Sequence, residues 1–117
     1  MITVVAYRDS RWGAPKLDKC QWAEVCGSYD AELQMIDSAD DCQFDGPVVA
    51  FDERGELTLD EFEHLETATY VFGRSSHDVL AKTPHDVSVR IVTANPVRTL
   101  FGVSAAAIVL HDRERRL

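Results

Sequence analysis

The stretch YVFGRSSHDVL (70–80) brings a glycine, an arginine and a histidine within five residues: Gly73, Arg74 and His77. Imidazole titrates near neutral pH, so His77 beside a glycine turn could give or take a proton. A lone loop histidine is as readily a solvated one, and that alternative stays open. Arg74 here and Arg98 in TANPVR (93–98) could meet phosphate, or else point into water. Trp12 lies between Arg11 and Gly13, where an indole can stack on a nucleobase or anchor packing. His64 and His85 offer less. Cys20, Cys26 and Cys42 make an odd count with no CxxC pair. That fits thiols in a reducing cytosol better than a metal centre or a disulfide framework, and no metal is expected.

These groups must be held by one domain spanning 1–117, because 117 residues support one hydrophobic core and not two. Apolar content of 45% with 27% charged residues fits an ordinary globular chain. No run of 18 uncharged apolar residues occurs, so no membrane span is expected. MITVVAYRDS lacks a basic leader and reads as a first strand, and the expected location is cytoplasmic. The net charge of −8 argues against a non-specific nucleic-acid coat protein. The acid is concentrated, however. Residues 37–66 hold eleven acids and one base, leaving nine acids and eleven bases elsewhere, so net charge alone does not exclude an anionic partner.

The patterning predicts alternating strands and helices. ITVVAY (2–7), AELQMID (31–37), PVVAFD (47–52), TATYVFG (67–73) and DVSVRIV (86–92) read as five strands. Pro15 and Gly27 bracket a helix over 14–27. Thr58 and Glu61 form a capping-box pattern that predicts a short helix in TLDEFEHLE. SSHDVLAK predicts a further turn or short helix, and 99–113 a final one. The expected class is α/β, with a mostly parallel five-stranded sheet flanked by helices. Ligands in such folds sit at the carboxyl ends of the strands. That points to the loops 8–16, 73–78 and 93–101. Ala105, Ala106 and Ala107 remove bulk from the last helix, as close packing against another backbone requires.

Three segments resemble the SpoU branch of the SPOUT (α/β-knot) methyltransferases, which methylate ribose 2′-hydroxyls of tRNA and rRNA. VRIVTANPVRTLFGVSAAAIVL (89–110) is similar to the family's closing strand, loop and small-residue helix. TYVFGRSSHDVL (69–80) is similar to its strand running into Gly-x-Glu-x-x-Gly, and QWAEVCGSYDAELQMID (21–37) to its helix, glycine and strand. The resemblance implies a C-terminal trefoil knot, a homodimer, an RNA substrate and S-adenosylmethionine held by the knotted loops. Carried over by position, the cofactor residues are Gly73, Arg74, Ile91, Thr93, Thr99 and Leu100.

The chain departs from the family pattern at several positions. The family's catalytic arginine falls at Gln21, and its accompanying asparagine and glycine at Pro15 and Leu17. The motif glutamate falls at Ser75, the second glycine at Asp78, the late asparagine at Phe101 and the loop proline at Val92. A ribose hydroxyl is a very weak acid, so its methylation needs a positioned group to handle the proton. Arg11 and His77 remain candidates for that work, with Lys16 and Lys19 in reach of the same loop. Arg113, Arg115 and Arg116 suit a helix C-terminus, with RNA contact or a dimer rim as the other use. Two functions are compatible with these residues: an RNA ribose 2′-O-methyltransferase, or a catalytically degenerate knot that serves as a binding or assembly module. An unrelated α/β binding domain is a third.

Overall fold

The computed structural model describes residues 1–8, 15–41, 43–44, 46–73, 79–95, 100 and 102–117. Six strands form one sheet: β1 (Ile2–Tyr7), β2 (Glu32–Ile36), β3 (Val48–Phe51), β4 (Leu57–Thr58), β5 (Ala68–Phe72) and β6 (Val87–Arg90). The helices are α1 (Pro15–Ser28), α2 (Val79–Lys82) and α3 (Gly102–Arg116), with one 3₁₀ turn at Ala39–Asp41. The order across the sheet is β2-β1-β5-β3-β6-β4, and every pairing is parallel.

Parallel strands covered on both faces read as continuous apolar runs rather than alternations, and β1, β3 and β5 behave that way. Val4 and Ala6 of β1 join Val49, Phe51, Tyr70, Phe72 and Val89 in the core beneath α1 and α3. Val5, Tyr7, Val48 and Val71 face the other side, against Leu80 of α2 and Phe44. Aromatic packing dominates the first face. Phe51 stacks on Phe72 at 4.8 Å with their planes 7° apart, and Tyr70 meets Phe51 edge-on at 5.0 Å. Offset and edge-to-face pairs of this kind add to the burial of area alone.

The sheet has six strands where five are expected. Two residues, Leu57 and Thr58, pair with Val89 and Arg90. The pairing depends on Gly55, because a Cβ there would collide with the backbone of Val89 and Arg90. The helix expected after Thr58 does not form. Its capping box does: Thr58 N–H donates to Glu61 Oε1 at 2.9 Å, and Glu61 N–H to Thr58 Oγ1 at 3.3 Å. Beyond that turn the chain straightens, because Phe62 is drawn into the core and His64 bonds both Tyr70 and Asp112.

The last helix begins at Gly102, not 99, and continues to Arg116. Ala106 is fully buried, while Ala105 and Ala107 are half-buried. Two of the three C-terminal arginines bond to main-chain carbonyls of the 59–66 segment. Arg113 donates to the carbonyls of Leu65 and Glu66, at 3.1 and 2.8 Å. Arg116 donates to those of Leu59 and Phe62, at 2.9 and 2.7 Å. Arg115 is exposed. Among the described residues no helix is long and apolar enough to cross a membrane, and no three His, Cys, Asp or Glu side chains are grouped as metal ligands would be.

Candidate functional site

β5 lies in the middle of the sheet, between β1 and β3, although it comes fifth along the chain. The chain passes β1, β2, β3 and β4 first and leaves the place between β1 and β3 for β5. In doubly wound sheets the crevice at such a reversal, outside the strand carboxyl ends, is where ligands bind. β5 leaves its ladder at Gly73 and β6 leaves at Ile91. β3 separates β5 from β6, which puts the two exits roughly 10 Å apart at the usual strand spacing.

α3 closes this end of the molecule. A Cβ on Gly102 would lie 2.6 Å from the Gly73 carbonyl oxygen and 3.1 Å from Cζ2 of Trp22. The first residue of α3 therefore rests on the exit of the central strand, and only glycine permits the approach. Trp22 is 3% exposed and tilts against Phe72 at 5.9 Å, so α1 supplies the floor beneath that contact. Leu100, Ile91 and Thr93 are all half-buried. Ile91 packs on the core, and Thr93 Oγ1 donates to the Asn95 carbonyl at 3.2 Å.

Four of the expected cofactor residues thus fall at one end of the sheet: Gly73, Ile91, Thr93 and Leu100. Arg74, Thr99, Arg11 and His77 lie outside the described residues, as do Trp12, Arg98, Ser75, Asp78 and Phe101. Gln21 is exposed on α1, directly before Trp22. Trp22 and Gly102 are site residues the sequence does not declare as such. A tryptophan at helical spacing reads as ordinary core, and Gly102 is overshadowed by the alanines that follow it.

Among the cysteines, Cys20 is exposed and Cys26 buried. Burial pushes the Cys26 thiol up to about 11, so it is inert near neutral pH.

No family model matches the sequence, and neither does any curated protein. Solved structures do match. One, from work on 2-OH methylation of C/U34 on tRNA, superposes with a TM-score of 0.74 over 99% of this chain and 95% of that one, at 20% identity. A second is the SpoU methyltransferase AviRb from Streptomyces viridochromogenes in complex with AdoMet, with a TM-score of 0.72 and 13% identity over 97% of this chain and 56% of that one. The chain has the SpoU-type SPOUT fold. A candidate RNA methyltransferase from Bacillus anthracis shares it, with a TM-score of 0.71 and 19% identity over 99% of this chain and 94% of that one. At these identities the likeness is one of fold. The chain carries glycine at positions 73 and 102 and glutamine at position 21.

Proposed function

We propose that this chain binds S-adenosylmethionine at the end of the sheet formed by Gly73, Ile91–Thr93, Leu100 and Gly102, and that the ligand serves methyl transfer to an RNA ribose 2′-hydroxyl. The observation that carries the reading is the seating of Gly102 on the Gly73 carbonyl above Trp22, at the exit of the central strand. Main-chain groups outside the ladder can hydrogen-bond an adenine edge there, and the apolar bodies of Ile91 and Leu100 can cover its faces. When bound, the cofactor supplies a methyl group on a sulfonium centre. The chain's own residues would orient it and exclude water. An AdoMet complex of a like-folded SpoU methyltransferase supports the choice of ligand, and a like-folded protein from work on tRNA methylation supports the substrate class. The reading includes the C-terminal trefoil knot, a homodimer and a cytoplasmic location.

A second reading rests on Gln21. That position is exposed beside Trp22 and carries an amide, which cannot replace a guanidinium in handling the hydroxyl proton. Under this reading the domain keeps the fold as a binding or assembly module.

Titration calorimetry with S-adenosylhomocysteine tests the cofactor. Measurable heat at the site is expected, and none at millimolar ligand removes the claim. Arg11→Ala and Arg74→Ala then separate the readings. Both should abolish methylation under the first, and both should leave a folded, partner-binding chain under the second.

A further inference from the structure

Far from the candidate site, at the opposite end of α3, His64 is enclosed with both ring nitrogens bonded. Its side chain is 1% exposed. Nδ1 lies 2.6 Å from the Tyr70 hydroxyl and Nε2 lies 2.7 Å from Asp112 Oδ2. The same carboxylate oxygen accepts from Arg116 at 2.9 Å. The neutral ring protonated on Nε2 satisfies every partner. Tyr70 O–H donates to Nδ1, and Nε2–H and Arg116 both donate to Asp112. A second ring proton, on Nδ1, would face the Tyr70 hydroxyl and force its hydrogen to turn away. Tyr70 is fully buried, with Phe51 and Phe62 against its ring, so the reversed hydroxyl would be stranded.

The charges facing the ring come from α3. Asp112 favours the charged ring, while Arg116 and Arg113 oppose it, and β5 contributes the neutral Tyr70. The acids that precede the ring, Glu61 and Glu63, are exposed, and Glu61 is bonded to Thr58.

We propose that His64 is a proton-operated latch. As the neutral imidazole it fastens the last turns of α3 to the 59–66 segment and β5, and on protonation it lets them open. The ring's burial and the two arginines keep its proton affinity below that of a free histidine, outweighing Asp112. The opened form, with a solvated ring, therefore binds more protons than the closed form. Acid then favours opening, with the effect beginning as the pH falls below 6.5, the ordinary value. This proposal does not depend on the cofactor reading.

Two measurements on the intact chain test it. Long-range ¹H–¹⁵N correlation across a pH series should find His64 as the Nε2–H tautomer, titrating with a midpoint below 6.5. Amide exchange of residues 110–116 and 59–66, corrected for intrinsic rates, should lose protection by up to about tenfold per pH unit within the titration window. His64→Gln, whose amide keeps a donor for Asp112 without titrating, should remove that dependence. A midpoint at or above 6.5, a pH-independent protection in the parent chain, or an unchanged dependence in His64→Gln overturns the latch. Should the variant fail to fold, the tautomer and midpoint of the parent chain decide.

Discussion

At the scale of single residues, Gly102 is a tightly constrained position. A methyl group there must displace a backbone carbonyl and the edge of an indole, neither of which yields as a flexible side chain would. Gly102→Ala should cost about 1–3 kcal/mol, the usual penalty of overpacking a tight contact. Urea unfolding would read this as a lower midpoint with an unchanged slope. The same substitution should weaken S-adenosylhomocysteine in calorimetry, because it moves the strand exit that the ligand would contact. Cysteine chemistry offers a simpler check. Cys20 is exposed, whereas Cys26 is buried with a thiol pushed up to about 11. Maleimide labelling of the native chain followed by peptide mass mapping should modify Cys20 and spare Cys26 until denaturant is added.

At the scale of elements, much of the sheet is legible in the sequence because β-branched and aromatic runs leave few alternatives. β1 matches its expected segment, and β2, β3, β5 and β6 lie within theirs with ends trimmed by one or two residues. β4 is not legible. Two residues carry no periodicity, and their pairing is dictated by β6, more than thirty residues away. The capping box at Thr58 and Glu61 forms but starts no helix, because long-range demands on Phe62 and His64 override a local preference. The site divides similarly. Gly73, Ile91, Thr93 and Leu100 can be placed by their order along the strands, whereas the Gly102–Trp22 contact joins residues eighty apart. For α3, the sequence marks its small residues and its C-terminal cations but not the carbonyls those cations hold. Arg116 donates to Leu59 and Phe62, so Arg116→Ala leaves those acceptors without their partner. The expected loss is about 1–3 kcal/mol, with added exchange at amides 59–66 as the local signature.

At the scale of the whole molecule, charge and acid stability come to the fore. The backbone N–H groups of Asp37 and Ser38 hold the Asp41 carboxyl below the usual range, and the Thr58 N–H and hydroxyl do the same for Glu61. Asp112 is also held down: its partial burial works against ionisation, but the bonds from His64 and Arg116 prevail. Carboxyls with depressed values stabilise the folded chain above the unfolded range and lose that contribution as pH falls through the folded values. Melting temperature should therefore decline in two stages, first below 6.5 with His64 and then below about 4 with the acids. A melting temperature that is flat from pH 7 to 4 would contradict the first stage.

The central claim is that the end of the sheet at Gly73 and Gly102 receives S-adenosylmethionine, and amide chemical-shift mapping with S-adenosylhomocysteine tests it most directly. The account predicts that resonances of Gly73, Ile91, Thr93, Leu100 and Gly102 move with saturating ligand, together with the Trp22 indole, while those of 59–66 stay in place. Shifts confined to other surfaces, or none at millimolar ligand, would contradict it.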